Sequence, residues 1–212
     1  MTQLTEPSDQ RLAKGARARA TIARRAAELA SVEGLEGLSI GRLATDLGIS
    51  KSGIATLFGT KEALQLAAVQ AAREIFIERV VAKGLGTPRG AARVRDLIDR
   101  WFAHIDNPPF PGGCFRVATL TEFSSKPGAV RDAVVADHDD WLAFLAGEVR
   151  KAQAMGELVD LDPDLLVFEL DAIVSAANIA RQTGDSARVD AARTIANRLL
   201  SAAPDEAGPD GA

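Results

Sequence analysis

Three cations in the sequence stand where they could bind phosphate oxygens together. Arg42, Lys51 and Lys61 each fall in the first turn of a helix that the hydrophobic pattern predicts. A cation at that position opposes the helix dipole by about 0.3–1 kcal/mol, so the placement costs stability. Helix N-termini and basic side chains can instead share one anion, such as a nucleic-acid phosphate. Each cation alone fits an ordinary solvated surface, but three in one short unit favour DNA binding.

Two short predicted helices in the stretch LSIGRLATDLGISKSGIATL, residues 38–57, must position these cations. An apolar stripe in the first helix ends at Gly48, whose backbone freedom suits a tight turn, and a second stripe follows Ser50. Helices of about two turns are unstable alone, so they must pack on each other and on a third. Ala44 permits close approach, and Ile54 fills the space between the helices. This spacing indicates a helix-turn-helix.

Composition and length favour an all-helical fold. The chain has 212 residues, of which 47% are hydrophobic and none is Tyr, and alternating strand-like runs are scarce. No apolar run approaches the roughly 18 residues that span a bilayer, and no secretory signal is evident, so we expect a cytoplasmic protein. Cys114 is the only cysteine, which excludes an internal disulfide framework and a multi-cysteine zinc site.

Charge is divided unevenly along the chain. Residues 11–61 carry nine Lys or Arg against four Asp or Glu, or +5, whereas the whole chain has a net charge of −4. A basic end on an otherwise acidic protein indicates that only this end binds a polyanion. The acidic remainder disfavours non-specific wrapping of nucleic acid.

Helical periodicity and breaker residues predict about nine helices in all. Thr60 is a predicted N-cap, and Asp162 followed by Pro163 is another. We expect flexible tails at residues 1–13 and 203–212. The predicted helices cover about 14–32, the two helices of 38–57, then 61–83, 91–106, 115–124, 127–155, 163–182 and 186–202.

The apolar faces of the last two predicted helices have two explanations. They either cover the core of a monomer or form half of an intermolecular four-helix bundle. An intermolecular bundle fits a sequence-specific DNA-binding protein, since a two-fold dimer matches two DNA half-sites. Periodicity alone favours neither of the two explanations. The candidate interface residues are Leu166, Leu170, Ile173, Ala177, Val189, Ala192, Ala196 and Leu199.

The motif RLATDLGISKSGIATLFGTKEAL at residues 42–64, between a basic helix and a long helix, resembles the tetracycline-repressor (TetR) family of bacterial transcription regulators. The resemblance implies a helix-turn-helix DNA-binding domain over 14–65 and a helical ligand-binding and dimerisation domain over 66–202. It also implies a homodimer whose second motif helix enters the major groove. The match is strong over about 14–65, and over 66–202 it lies only in helix count and order. It rests on Ala44, Gly48, Ser50, Ile54, Phe58 and Lys61–Glu62.

The resemblance also assigns DNA contacts within the motif. Gly53 weakens its helix by up to roughly 1 kcal/mol relative to Ala. Either this glycine lets the backbone approach DNA, or the helix becomes fully ordered only when it packs against its neighbours. Ala55 departs from the family, in which an aromatic residue, usually Tyr, is common there, so a contact surface beside the DNA backbone is missing. The implied groove-facing residues are Ser50, Lys51, Ser52 and Thr56, and the implied phosphate contacts are Arg42 and Lys61.

The resemblance also implies a small-molecule pocket between the central helices. Apolar and aromatic side chains there could wall a cavity, although each alone is more often ordinary core. The PPFPGGC loop, residues 108–114, could gate it. The candidate lining residues are Trp101, Phe102, Ile105, Phe110, Phe115, Thr119, Phe123, Trp141, Phe144 and Leu145, with Phe168 on another predicted inner face.

The sequence gives no reason to expect a metal, a cofactor or an active site. Asp137, His138, Asp139 and Asp140 are consecutive on a predicted helix, where side chains diverge by about 100° and cannot converge on one ion. We interpret them as a solvated face. No glycine-rich phosphate loop or nucleophile elbow is evident, so an enzyme is not expected. Cys114 would sense oxidants only if its thiol were exposed and had a lowered pKa.

These observations predict a DNA-binding transcriptional regulator. We expect a repressor that binds a palindromic operator as a homodimer and is released by a small apolar or amphipathic effector. The alternative is a helical interaction module whose basic end docks an acidic protein surface. A regulator should prefer one palindromic duplex over random DNA, whereas an interaction module should bind DNA weakly or not at all.

Overall fold

A computed structural model describes residues 7–158 and 161–201 of the chain. Within these ranges the chain forms nine α-helices and no strand, which confirms the predicted all-helical fold. A π-helical segment, Ile77–Ala82, directly follows α4. The helices are α1 (Pro7–Glu33), α2 (Ile40–Leu47), α3 (Lys51–Phe58), α4 (Lys61–Phe76), α5 (Ala91–Asp106), α6 (Phe115–Phe123), α7 (Ala129–Ala154), α8 (Pro163–Gln182) and α9 (Ser186–Ser201).

Two boundaries differ from the predicted ones. Helix α1 begins at Pro7 instead of Lys14, so part of the expected N-terminal tail is helical. Its first turns are polar, and no apolar stripe marks them in the sequence. The predicted single helix over 61–83 changes to π-helical hydrogen bonding at Ile77, a change that hydrophobic periodicity does not encode. The predicted C-terminal tail, residues 203–212, lies outside the described residues.

The chain forms two compact units, each with its own hydrophobic core. The first unit contains the chain up to Ile75 together with Phe110–Val135. The second contains Phe76–Pro109 and the chain from Ala136 onward. Helix α6 and the start of α7 therefore complete the N-terminal unit, although they are distant from it in sequence.

The core of the first unit is built around the predicted helix-turn-helix. Leu43 of α2 and Ile54 of α3 are both fully buried, and Ala44 is 4% exposed. Phe58 is also buried, and Leu57 is half-buried against the same core. The small Ala44 and the inserted Ile54 thus take the positions that the sequence spacing predicts.

Helix α2 begins and ends on local signals. The hydroxyl of Ser39 accepts a hydrogen bond from the backbone N–H of Arg42 at 3.1 Å, which satisfies one free donor of the first turn. Gly48 ends the helix with φ of 65°, in the left-handed region that glycine adopts without strain. The N–H of Ile49 then donates to the carbonyl of Ala44 at 3.0 Å, which completes a Schellman motif.

The two predicted N-caps are confirmed. Thr60 Oγ1 accepts from the N–H of Ala63 at 3.0 Å at the start of α4. Asp162 Oδ1 accepts from the N–H of Asp164 at 2.9 Å, with Pro163 at the first position of α8. Proline is tolerated there because its missing N–H would have no partner inside the helix.

The second unit contains an aromatic cluster and a buried carboxylate that pairs with two cations. Trp101 of α5 and Trp141 of α7 pack edge to face, with ring centroids 5.2 Å apart. Glu148 is 2% exposed and binds Lys151 at 2.6 Å and Arg93 at 3.4 Å between nitrogen and oxygen. A buried carboxylate is tolerated only when cations or donors satisfy it, and these two do so.

Across the described parts of the chain, none of the helices combines the length and apolar character that crossing a membrane requires.

Candidate nucleic-acid interface

Helix α3 presents one polar face to solvent. Its buried positions are Ile54 and Phe58, which anchor the opposite face in the core. A helix of eight residues with two buried anchors leaves its other side free for a partner. The four residues that the resemblance assigns to the groove, Ser50, Lys51, Ser52 and Thr56, are all exposed, as are Gly53 and Ala55.

The hydroxyl groups of Ser50, Ser52 and Thr56 make different hydrogen bonds within α3. Ser50 is the N-cap, and its Oγ accepts from the N–H of Gly53 at 3.1 Å and from the hydroxyl of Ser52 at 3.2 Å. Thr56 Oγ1 donates to the carbonyl of Ser52 at 2.8 Å. Ser50 therefore orients the start of α3, while Ser52 and Thr56 keep acceptor oxygens on the exposed face.

Gly53 has a structural role that the sequence did not reveal. A Cβ atom at this position would lie 3.1 Å from the capping Oγ of Ser50, which is tighter than ordinary van der Waals contact. The absence of a side chain at Gly53 thus leaves room for the cap. This packing adds a reason for glycine to the two explanations that the sequence offered.

Arg42 and Lys61, the two predicted phosphate contacts, both bind the end of α1 and the loop after it. Arg42 Nη2 lies 3.0 Å from Glu33 Oε1, and its side chain remains 57% exposed. Lys61 Nζ donates to the backbone carbonyl of Glu36 at 2.5 Å. Both cations are therefore exposed side chains held beside one short loop.

Lys51 lies against the first turn of α2. A Cβ atom at Gly41 would be 3.3 Å from Lys51 Cε and 3.4 Å from its Nζ, so glycine makes room for the lysine stem. Because Gly41 directly precedes Arg42, the cation of α3 is close to the N-terminal turn of α2. Lys51 thus lies beside the first turn of α2, which carries Arg42, while Arg42 and Lys61 contact the end of α1 and the loop after it.

Two arginines of α1 hold the helix-turn-helix in place. The guanidinium of Arg19 donates to the carbonyl of Leu57 and lies over the ring of Phe58, 4.4 Å from its centroid. Arg25 Nη2 donates to Asp46 Oδ1 at 3.0 Å, and Arg25 Nε donates to the other oxygen. The hydrogen bonds from Arg25 lower the pKa of Asp46 and raise the pKa of Arg25 itself. Not all of the positive charge in residues 11–61 is therefore available to a polyanion.

The predicted pocket residues divide between the two cores. Phe168 is 68% exposed, so its predicted inward orientation is wrong: it follows Leu166 of the buried stripe by two residues and points to a different side of α8. The members in the second core are Trp101, Phe102, Ile105, Trp141, Phe144 and Leu145, and those in the first unit are Phe110, Phe115, Thr119 and Phe123.

The PPFPGGC loop is packed where it enters the first unit. The N–H of Gly112 donates to Ser31 Oγ at 3.0 Å. A Cβ atom on Gly112 would lie 1.7 Å from the backbone carbonyl oxygen of Ser31, so only glycine fits against the end of α1. This part of the predicted gate is fixed by a close backbone contact.

An open cavity of about 340 Å³ lies in the first unit beside Lys61. Gln65, Lys126 and Arg131 give it a polar wall, and Phe123 is the only one of the predicted pocket residues that lines it. This cavity is therefore different in character from the apolar pocket that the sequence predicts.

The candidate interface residues of α8 and α9 are covered within the chain itself. Ile173 and Leu199 are partly buried against the second core, and the other six are buried. Their burial corresponds to the first of the two explanations, a core that the last two helices cover. The exposed apolar residues of this region are instead Leu161, Leu165, Phe168, Ile179 and Ile195.

The aspartate-rich segment of α7 is only partly a solvated face. Asp139 and Asp140 are exposed, but His138 is half-buried and its Nε2 lies 3.1 Å from Asp171 Oδ1 of α8. No cluster of three or more His, Cys, Asp or Glu that could hold a metal occurs among the residues described. Cys114 is 1% exposed, so the condition for oxidant sensing is not met.

Comparison with known proteins agrees with this fold. A family model described as the tetracyclin repressor-like C-terminal domain matches residues 90–196, just over half of the chain. No curated protein matches the sequence. A TetR transcriptional regulator from Chloroflexus aurantiacus has a similar structure, with 26% identity, a TM-score of 0.81, and coverage of 89% of this chain and 96% of that one.

Two further solved structures are similar. One is a putative transcriptional regulator from Saccharomonospora viridis in complex with choline, with 25% identity, a TM-score of 0.71, and coverage of 87% and 96%. The other is AibR in complex with isovaleryl coenzyme A and operator DNA, with 20% identity, a TM-score of 0.63, and coverage of 78% and 95%. The chain therefore belongs to the tetracycline-repressor (TetR) family of transcriptional regulators.

Proposed function

We propose that this protein is a ligand-responsive repressor that binds a palindromic operator as a homodimer. The observation that supports it most is the exposed polar face of α3, flanked by cations at the starts of α2, α3 and α4. A helix with this exposure fits the major groove, while basic side chains beside it fit the phosphate backbone. The similar structure of AibR was solved with operator DNA.

The geometry supports different DNA contacts for different residues of the proposed interface. Ser52 and Thr56 offer hydroxyls on the exposed face of α3, so we assign them to base edges. Arg42 and Lys61 flank the loop after α1, so we assign them to phosphates. Lys51 lies against Gly41 of α2, so we assign its ammonium to a phosphate near that helix start instead of to a base edge.

A second copy of the chain is the occupant that we propose for the outer face of α8. Leu165, Phe168 and Ile179 are all exposed there, and exposed Ala172 and Ala176 lie between them. The spacings of three and four residues place all five on one side of the helix. A large exposed apolar stripe marks an interaction surface, and the two alanines let a partner helix approach closely. A two-fold pair of such faces would pair two DNA-binding units.

The effector that we propose is a small apolar or amphipathic molecule bound in the second unit. The predicted lining residues in that core, among them Trp101, Trp141 and Phe144, supply aromatic surface. Two of the similar proteins were solved with small molecules, choline and isovaleryl coenzyme A. Linkage then requires that an effector which lowers operator affinity binds less tightly to the DNA-bound protein by the same factor.

Selection from a random pool of duplexes tests the proposal. The purified protein is expected to enrich one palindromic sequence, bind it far more tightly than random DNA, and release it on addition of an effector from a metabolite library. Equal and weak binding to all duplexes would overturn the proposal and favour the interaction module. Enrichment of a single non-palindromic half-site would overturn the dimer alone.

A further inference from the structure

Side chains from two helices bind all four backbone polar groups of Leu35 and Glu36. Glu122 of α6 accepts from both N–H groups, with Oε2 2.8 Å from Leu35 N and Oε1 2.9 Å from Glu36 N. From α4, Gln65 Nε2 donates to the carbonyl of Leu35 at 2.7 Å and Lys61 Nζ to that of Glu36 at 2.5 Å. We call these two residues and their three side-chain partners the loop clamp.

The preceding glycine makes this arrangement possible. Gly34 ends α1 with φ of 80°, a conformation that side chains rarely adopt. A Cβ atom on Gly34 would lie 2.7 Å from Glu122 Oε1, so the carboxylate needs the space that glycine leaves. The side chain of Leu35 is fully buried, which fixes the segment from its other side.

The loop clamp connects α6 to two parts of the proposed DNA interface. The clamped segment leads directly to Ser39, the N-cap of α2. It also holds Lys61, the proposed phosphate contact of α4, by its ammonium group. Lys126 adds an ion pair of 2.8 Å to the carboxylate of Glu36. Glu122 and Lys61 thus bind the same short backbone segment, through its N–H groups and through a carbonyl respectively.

We propose that Glu122 is a positioning residue for operator binding, which fixes the loop that orients Lys61 and the start of α2. This inference rests on the proposed function. Glu122 is an acid, so it does not itself attract DNA. Its removal would strengthen DNA binding if charge alone mattered. The positioning role requires the opposite result, a weaker complex, because the loop and Lys61 lose their fixed geometry.

The Glu122→Gln variant tests this difference in sign. Glutamine keeps the size of the side chain, but it presents only one acceptor oxygen to the two N–H groups. We expect operator affinity to fall roughly three- to tenfold, because one charge-assisted hydrogen bond is replaced by an unfavourable contact. The matched control is Glu74→Gln, since Glu74 is an exposed acid of the same unit that binds only Gln70 in the described structure. The control is expected to bind as the wild type or slightly more tightly.

A double-mutant cycle with Lys61→Ala separates positioning from a general loss of structure. If Glu122 acts through Lys61, the Glu122→Gln change should have a smaller effect on operator affinity in the Lys61→Ala background. The Glu122→Gln change in the otherwise wild-type protein should also reduce the slope of log K against log salt, as loss of a phosphate contact does. Glu122→Asp, which keeps the charge but shortens the reach, is expected to weaken binding as well and serves if the glutamine variant does not fold.

The outcomes distinguish this inference from the proposed function. A wild-type protein that retains no specific duplex overturns the proposed function and, with it, this inference. A wild type that binds its operator, together with a Glu122→Gln variant of equal or higher affinity, overturns only the positioning role. Fully additive effects of the two substitutions would overturn the part of the role that acts through Lys61.

Discussion

Arg25 of α1 and Asp46 of α2 are joined by two hydrogen bonds from one guanidinium to one carboxylate, with 3.0 Å between Nη2 and Oδ1. Glu28, one turn after Arg25, accepts from the same guanidinium at 2.8 Å. Fork-to-fork geometry of this kind fixes orientation as well as distance. The pair therefore sets the angle at which α1 meets the first helix of the helix-turn-helix.

The stability that this pair contributes should depend on pH in a defined direction. The hydrogen bond from Arg25 lowers the pKa of Asp46 in the folded state. The contribution is therefore complete above the unfolded-state pKa, about 3.9, and is lost as the pH falls through the lower folded-state value. The free energy of unfolding of the wild type should exceed that of Asp46→Asn at pH 6, and the difference should shrink below about pH 4. Denaturant titrations from pH 3 to 7 measure it, and a difference that is constant down to pH 3 would contradict the assignment.

Loss of the cap of α3 should destabilise the helix that we place in the groove. Ser50→Ala removes the oxygen that accepts from the N–H of Gly53, at a cost of about 1 kcal/mol. Operator affinity should fall as well, because the exposed face of α3 then forms less of the time. Ser52→Ala is the control for stability, since the Ser52 hydroxyl donates to the capping oxygen but does not itself accept from a backbone N–H of the first turn. Thermal unfolding of both variants tests this, and equal unfolding temperatures would refute the capping role.

The buried carboxylate of Glu148 should be important for the stability of the second unit. Glu148→Ala leaves Arg93 without its acidic partner in a region where that arginine side chain is only 11% exposed. We expect a loss of about 1–3 kcal/mol in the free energy of unfolding, because Arg93 loses its charged partner but keeps the backbone carbonyl of Thr87 as an acceptor at 2.8 Å. Asp139→Ala, at an exposed position of the same helix, should change stability by less than about 0.5 kcal/mol. If chemical denaturation gives similar values for the two variants, the ion pair contributes little.

The two faces of α8 should respond differently to substitution. Phe168→Asp places a charge on the exposed stripe, so it should convert a dimer to a folded monomer. Leu166→Ala removes a side chain that is 1% exposed, so it should instead cost about 2–5 kcal/mol of stability. Analytical ultracentrifugation and denaturation distinguish the two results. A Phe168→Asp protein that keeps the mass of the wild type would exclude this face from the interface.

Local signals in the sequence predicted the helix-turn-helix, because each depends on neighbouring residues. Gly48, Thr60 and Asp162 end or begin helices where their side-chain chemistry requires. Ile54 is buried because its spacing from Ala44 places it between two helices.

Features that depend on distant residues could not be predicted in this way. Glu122 meets Leu35 across 87 positions of the chain, and no periodicity connects them. The π-helical segment at Ile77 leaves the apolar pattern almost unchanged, so it gives no sequence signal. For α8, two faces both carry apolar residues, and the sequence did not show that Leu166 points inward while Phe168 points outward.

The salt dependence of operator binding by Lys51→Ala and Arg42→Ala examines the proposed interface most directly. Each variant should bind the selected operator more weakly, and its slope of log K against log salt should be lower by about 1, as loss of one phosphate contact predicts. Lys83→Ala, an exposed lysine of the second unit, should retain both the affinity and the slope of the wild type. Unchanged affinity and slope in the Lys51 and Arg42 variants would show that the starts of α2 and α3 do not bind DNA.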